Sequence, residues 1–218
     1  MNATIAEIFA LSILIAGVIA IVRFKKIDPM FYPFILLIWI GCVNEVLGVI
    51  LVFFKFHTLI NNNIYVVCES LTILWFFKKT GTVSSGKAIF LFLAFSFVAV
   101  WLTENFILGW DFYASSYFRI YYSFITVLLS VTTVNYLIVE AKKNLLKMSI
   151  FLISIGFIIY FTYEILVQTF SLYGLNNSLE FQKNVYMIMI YLNLIVNILY
   201  ALAILWIPRK REYSLLSL

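Results

Sequence analysis

Seven long apolar stretches alternate with short polar segments along the chain. A helix needs about 20 mostly apolar residues to cross the hydrocarbon layer of a membrane, and each stretch approaches or exceeds that length. The segments between them are too short for a soluble catalytic or signalling domain. Residues 1–218 are therefore expected to form one membrane domain, with spanning helices near residues 4–22, 31–54, 61–77, 88–108, 114–139, 148–171 and 185–207.

Composition agrees with an all-α integral membrane protein. Hydrophobic residues make up 64% of the chain and charged residues 11%, whereas soluble domains are about half apolar and a quarter charged. The abundance of Ile, Phe, Asn, Lys and Tyr is typical of an AT-rich bacterial genome. We therefore expect a multi-pass protein of a bacterial plasma (inner) membrane.

Basic residues predict the orientation of the helices. Twelve of the fifteen Lys and Arg residues fall in four clusters that occupy alternate connections: Arg23/Lys25/Lys26, Lys78/Lys79/Lys87, Lys142/Lys143/Lys147 and Arg209/Lys210/Arg211. Positive charge collects on the cytoplasmic side of membrane proteins. The N-terminus is therefore expected outside and the C-terminus in the cytoplasm. The net charge of +5 indicates contact with anionic lipid headgroups and not with nucleic acid.

A weak internal repeat is visible in the order of these features. Phe24-Lys25-Lys26 precedes Ile40-Gly41 and Glu45, as Ala141-Lys142-Lys143 precedes Ile155-Gly156 and Glu164. This order predicts two parallel halves, residues 4–79 and 114–210, joined by the single helix at 88–108. Internal repeats are common in transporters.

The three-plus-one-plus-three layout resembles that of the sugar porters with PQ-loop repeats, in architecture only. The Pro-Gln signature of that family is missing, and Pro29 and Pro33 stand at the start of the second helix. No functional residue carries over from that family. A seven-helix receptor has an equally similar topology.

Charged residues inside the predicted spans are the candidate functional residues, because charge in a membrane is costly and usually faces protein or water. Glu45, Glu69, Glu164 and Arg119 all fall in the predicted outer half. Polar residues share helical faces with several of them or with one another. The predicted ligand- or ion-binding set is Glu45, Glu69, Glu164, Arg119, Tyr65, Tyr160, Asn193 and Asn197.

Structural roles for the same residues are the alternative interpretation. Arg119 and a network of Asn and Tyr side chains could satisfy the acids, and Asn193 and Asn197 could join two helices. One cation cannot neutralise three carboxylates, however, so at least one acid is expected to be protonated or to bind a cation.

Helical spacing also predicts which helices lie at the periphery. Glu104 lies on an apolar face and is expected to extend to the outer membrane interface. Helix 1 has no deep polar stripe either and only Ser12 as a deep polar residue, so helices 1 and 4 are predicted to be peripheral. On helix 2, a face with Gly41, Cys42, Glu45, Gly48 and Val49 is predicted to pack against neighbouring helices.

Several kinds of chemistry are not expected from these residues. The chain has one His, too few for a typical zinc hydrolase site, and no Ser-His or Cys-His pair inside the bundle. It has no glycine-rich phosphate loop, and no Lys between Lys183 and Arg209 to hold a retinal. We expect no enzyme activity, no cofactor and no metal.

Three functions remain. The first is a permease for a small polar or cationic solute or an ion, with an acidic, outward-facing site. The second is a seven-helix sensor that signals through a separate partner. The third is a pore formed by a homo-oligomer. The polar faces of helices 5 and 7 extend past mid-membrane, which favours the permease.

Overall fold

Seven α-helices dominate the computed structural model, which describes residues 9, 11–83, 87–108, 116–140, 144–173 and 178–209. The helices are α1 (Ile13–Arg23), α2 (Tyr32–Phe53), α3 (Leu59–Lys79), α4 (Lys87–Leu108), α5 (Ser116–Glu140), α6 (Ser149–Leu172) and α7 (Leu179–Trp206). Short 3-10 turns occur at Phe24–Lys26, Pro29–Phe31 and Leu145–Lys147. The main difference from the predicted bounds is at α7, which begins six residues earlier than expected because the Ser178 side chain accepts the Phe181 N–H and caps the helix there.

Five segments of the described chain are long and apolar enough to cross a membrane, as in a multi-pass membrane protein. They are Pro29–Phe53, Lys87–Ile107, Ser116–Glu140, Ser149–Leu172 and Lys183–Trp206. Of the other two helices, α1 is described over 11 residues, which is too short to qualify. The third helix contains polar Asn61, Asn62 and Asn63 as well as Glu69, which lower its hydropathy.

The helices form a closed ring in chain order. Each helix packs against the next one along the chain, and α7 packs against α1. The α5–α6 pair has the most extensive packing. Because α3 also contacts α5, α4 lies at the outside of the ring, as its apolar faces predict.

The ring closes at the end that carries Arg23 and Arg209, here called the basic end. The Arg23 guanidinium donates to the backbone carbonyls of Ile204, Leu205 and Ile207, at the end of α7, where helix carbonyls lack their usual partners four residues on. At a second level, Asn197 of α7 donates to Ser12 at the start of α1, at 2.8 Å. Both helices therefore run in the same direction.

Some residues of the predicted basic clusters lie outside the described residues, as does the predicted start of helix 1. They are Lys142, Lys143, Lys210 and Arg211.

The prediction that helix 1 is peripheral is wrong. Ala16 and Ala20 are fully buried, and a Cβ on Gly17 would lie 2.7 Å from the Cys42 sulfur. Small side chains let α1 approach α2 and α7 closely without any polar stripe. The near absence of polar residues from α1 therefore does not place it at the periphery.

The predicted packing face of helix 2 is correct over its first half. A Cβ on Gly41 would meet the Ile13 side chain at 2.6 Å, whereas one on Gly48 would meet nothing within 4 Å. Val49 is 41% exposed. Close packing of α2 on α1 therefore ends before Gly48.

Glu104 does not extend to the membrane interface as predicted. Its side chain is buried and accepts the backbone N–H groups of Tyr117 at 3.0 Å and Phe118 at 2.7 Å. These N–H groups lie in the first turn of α5, where a helix has unpaired donors and a positive end. Glu104 therefore caps α5 from a neighbouring helix and fixes the turn that carries Arg119.

The internal repeat stays a prediction. Gly41 and Gly156 both occupy close helix contacts, which agrees with their proposed correspondence. However, Glu45 follows Gly41 by four residues, whereas Glu164 follows Gly156 by eight. The two acids therefore project from similar faces relative to the glycine, about one helical turn apart in depth.

Replacing Glu104 with Ala should lower the free energy of unfolding by about 1–3 kcal/mol, since two buried N–H groups lose a charged acceptor. Glu104→Gln should lose less, because one acceptor oxygen is retained. Unfolding in mixed detergent micelles, followed by circular dichroism, measures the change. Exposed Glu140 provides the control, and Glu140→Ala should stay within about 0.5 kcal/mol of wild type. Equal stability of Glu104→Ala and wild type would contradict the capping role.

Candidate functional site

A cavity of about 210 Å³ lies inside the ring between α2, α3, α6 and α7. Arg119 of α5 and Ile13 of α1 complete its wall. Seven of the eight predicted site residues line it: Glu45, Tyr65, Glu69, Arg119, Tyr160, Asn193 and Asn197. The eighth, Glu164, lies outside the lining but contacts Arg119. The structure therefore brings together residues from five helices that the sequence marked as polar positions in apolar spans.

Arg119 and Glu164 form an ion pair between α5 and α6. The Arg119 Nη1 and Glu164 Oε1 atoms are 3.3 Å apart, and their side chains are 17% and 4% exposed. Gln168, one turn further along α6, donates to the same carboxylate oxygen at 2.9 Å. The Arg119 Nε is buried and has no hydrogen-bond partner among the described residues. Glu164 thus has two donors, while Arg119 lines the cavity with donors to spare.

Glu69 is held by two tyrosines. The Tyr65 hydroxyl donates to one carboxylate oxygen at 2.7 Å, and the Tyr122 hydroxyl donates to the other at 2.6 Å. Tyr65 is one turn before Glu69 on α3, whereas Tyr122 comes from α5. An ionised carboxylate accepts through both oxygens, so the two hydroxyls are placed to stabilise a charged Glu69.

Glu45 has no such support. It lines the cavity from α2, is half-buried, and has no hydrogen bond or ion pair with any described residue. Its neighbour Asn44 is different, because the Asn44 carbonyl accepts from Asn61 of α3 at 2.8 Å. Glu45 is therefore the cavity carboxylate whose charge the described protein leaves uncompensated.

The two asparagines of α7 serve both the fold and the cavity. The Asn197 amide donates to Ser12 at 2.8 Å and to the Asn193 carbonyl at 3.4 Å. The predicted role in joining helices is confirmed for Asn197, which fixes α7 to α1. Both asparagines still line the cavity.

An aromatic floor separates the cavity from the basic end. Phe157 and Tyr200 line the cavity, and Phe34 packs beneath them with ring centroids 6.4 and 5.3 Å away. Phe76 contacts Phe157 at 5.9 Å. Phe34 begins α2 and Phe76 lies near the end of α3, so these rings lie on the side of the basic end. We call Phe34, Phe76, Phe157 and Tyr200 the aromatic floor.

Buried hydroxyl groups continue along the α5–α6 contact past the level of the floor. Thr126, Ser130 and Thr133 are buried on α5, and Thr133 bonds Thr82 in the turn after α3 at 2.8 Å. Membrane-buried hydroxyls usually bond a backbone carbonyl one turn earlier, as Ser130 does. Three buried serines instead have no described partner: Ser123, Ser149 and Ser154.

Sequence reasoning missed three residues of the site region. Tyr122 was not predicted as a partner of Glu69, because no sequence signal pairs residues so far apart. Asn44 lines the cavity next to Glu45 and three residues after Gly41, a spacing that could have identified it. Ser12 was the one deep polar residue of helix 1, and that isolation in an apolar span was the available signal.

The described residues contain no group of three or more His, Cys, Asp or Glu side chains that could hold a metal ion. Comparison of the chain with protein-family models, with curated proteins and with solved structures found no match. Inference about function therefore depends on the chemistry of the cavity itself.

Gly156→Ala should destabilise the protein by about 1–3 kcal/mol, as overpacking does, because the added Cβ would lie 2.5 Å from the Tyr200 ring. The aromatic ring of Tyr200 cannot move away easily, since it also packs against the rings of Phe34 and Phe157. Gly48→Ala is the matched control: it has open space around the new Cβ and should be neutral or stabilising by up to about 1 kcal/mol. Thermal unfolding in detergent distinguishes the two, and equal effects would contradict a tightly packed floor.

Proposed function

We propose that the protein is a permease for a small cationic or polar solute, and that the cavity is its binding site. The observation that carries the proposal is the charge of this site. Glu45, Glu69 and Glu164 lie in or beside the cavity with one arginine, Arg119, and Glu45 has no hydrogen bond or ion pair with any described residue. An uncompensated carboxylate in a low-dielectric interior is costly, so a bound cation would stabilise it.

The polar groups beyond the cavity support transport over ligand sensing. A permease needs polar lining on both sides of its site, whereas a receptor pocket needs it on one side. Ser123, Ser149 and Ser154 carry buried hydroxyls that have no hydrogen-bond partner among the described residues, and these polar groups extend toward the basic end. The aromatic floor then corresponds to the inner barrier of an outward-facing state.

The orientation follows from the same arrangement. With the basic end in the cytoplasm, seven crossings place the N-terminus and the cavity's Asn62 and Arg119 on the outer side. The parallel directions of α1 and α7, seen in the contacts of Ser12 with Asn197 and of Arg23 with Ile204, support an odd number of crossings. Positive charge at the basic end supports its cytoplasmic location.

A seven-helix sensor is the second candidate. The ring of helices in chain order and the floor beneath the cavity favour it, because a ligand that moved Tyr200 would change the packing of α2, α3, α6 and α7. Output would then require a separate partner at the basic end.

Cysteine labelling tests the orientation. In a variant without Cys42 and Cys68, a single cysteine at exposed His57 should react with a membrane-impermeant maleimide added to intact cells. A single cysteine at exposed Lys79 should react only after the cells are permeabilised. The opposite pattern would reverse the orientation, and labelling of both positions in intact cells would contradict the proposed topology.

Uptake into proteoliposomes tests the permease. Glu45→Gln should reduce the initial rate of uptake of labelled cationic or polar solutes by about tenfold or more, since a charge-assisted contact contributes about 1.5–3 kcal/mol. Glu140→Gln removes an exposed carboxylate outside the cavity and should leave uptake unchanged. Uptake that is the same in Glu45→Gln and wild type would exclude the role of Glu45. Ligand-induced stabilisation of wild type without uptake of any solute would favour the sensor.

Glu164→Gln is less suitable than Glu45→Gln for testing transport. Breaking a buried ion pair leaves the other charge unpaired and costs about 3–5 kcal/mol, so loss of uptake in that variant could reflect loss of folded protein. Thermal unfolding of each variant must accompany the uptake measurement.

A further inference from the structure

Among the described residues, all but one of the carboxylates in or beside the cavity have hydrogen-bond donors. Glu69 accepts from Tyr65 and Tyr122, and Glu164 accepts from Arg119 and Gln168. Glu45 lines the same cavity, is half-buried, and has no described partner. A ligand that enters the cavity therefore meets one carboxylate that no described donor yet satisfies.

Aromatic rings make up much of the remaining wall. They are Tyr65, Phe157, Tyr160, Phe161 and Tyr200, contributed by α3, α6 and α7. Aromatic faces attract organic ammonium ions through the ring quadrupole, and cages of such rings with a nearby acid recognise quaternary ammonium groups. The side-chain amides of Asn44, Asn62 and Asn193 add carbonyl acceptors for an N–H or O–H group.

Two other ligand classes fit this wall less well. A divalent metal ion prefers several oxygen, nitrogen or sulfur ligands, and no group of three or more His, Cys, Asp or Glu side chains occurs among the described residues. A zwitterion would need a cation for its carboxylate, but the charge of Arg119 is already balanced by Glu164 at 3.3 Å. Its carboxylate would also be repelled by Glu45 and Glu69.

Cavity size limits the ligand to a compact molecule. The volume is about 210 Å³, and a cavity of about 150 Å³ holds benzene. A ligand of roughly six to ten non-hydrogen atoms therefore fits without displacement of the aromatic floor.

We propose that the cavity binds a compact organic ammonium ion, with Glu45 as its counterion and the rings of Tyr65, Tyr160 and Tyr200 around its hydrocarbon groups. This rests on the proposed function, since the site is the same and the ammonium ion is the transported solute. Glu69 and Arg119 keep their partners when the ligand binds. They shape the wall and do not contact the cationic centre as ion-pair partners.

Ligand-induced thermal stabilisation of the purified full-length protein tests the ligand class. Choline, tetramethylammonium and tyramine are the cationic probes, dimethylbutanol is the neutral isostere of choline, glycine betaine is the zwitterion, and sodium chloride at equal concentration controls for ionic strength. At least one cationic probe should stabilise the protein saturably, and choline should bind at least tenfold more tightly than dimethylbutanol. Glu45→Gln should remove that preference, whereas Glu140→Gln should preserve it.

Three results would overturn the ligand class: no saturable stabilisation by any of the three cations, equal affinity for choline and its neutral isostere, or tighter binding of glycine betaine. Folding of Glu45→Gln is checked by its circular dichroism spectrum. If that variant is unfolded, Glu45→Asp replaces it and should weaken choline binding while keeping some preference over the isostere. An unchanged preference in Glu45→Asp would then count against the proposal.

Uptake measurements separate this inference from the proposed function. Saturable choline binding without uptake of any cationic probe would contradict the permease and leave the ligand class in place. Uptake of glycine betaine without binding of any cation would contradict the ligand class and leave the permease in place.

Discussion

The ion pair between Arg119 and Glu164 is the interaction on which the centre of this protein depends. It lies in the α5–α6 contact, the most extensive helix packing of the ring, and one of its partners also forms part of the cavity wall. A charge in a membrane interior persists only when its partners are held in place. Here Gln168 holds the carboxylate, and Glu104 caps the turn of α5 from which Arg119 projects. Two acids thus act on Arg119. Glu164 contacts its guanidinium directly, and Glu104 positions it through the backbone of α5.

The cavity and its floor divide the bundle into two layers with different chemistry. Carboxylates, amides and tyrosine hydroxyls occupy one layer, and the rings of Phe34, Phe76, Phe157 and Tyr200, packed mainly edge to face, occupy the other. Tyr200 belongs to both, because its ring lines the cavity while it packs on Phe34 and on the backbone at Gly156. A change in the cavity can reach the basic end through this residue without any change in the ion pair.

Sequence patterns predicted the helices and most of the cavity residues because membrane burial makes polar side chains rare and informative. Glu69, Tyr65, Asn193 and Asn197 stood out as interruptions of apolar runs, and helical spacing placed each on an inward face. The same reasoning failed where a helix lacked polar residues, because lack of polarity was taken as a sign of a peripheral position. Helix 1 has few polar residues and was assigned to the periphery, yet its small side chains place it against two other helices.

Pairings between distant helices could not be obtained from the sequence. Nothing near Glu104 indicates that its carboxylate reaches the first turn of α5, and nothing near Tyr122 indicates Glu69 as its acceptor. Periodicity reports the direction of a side chain around its own helix, whereas a partner depends on the order and tilt of the neighbours. Glu104 is an example: its apolar face predicted extension to the outer membrane interface, whereas its carboxylate accepts N–H groups at the start of α5.

The contact of Arg23 with the end of α7 has a consequence for how the protein is assembled. The guanidinium that belongs to the first basic cluster binds carbonyls that are synthesised 181 to 184 residues later. The closing contacts of α1 therefore cannot form before α7 has been made. Because α7 also lines the cavity, the cavity is enclosed only after that point.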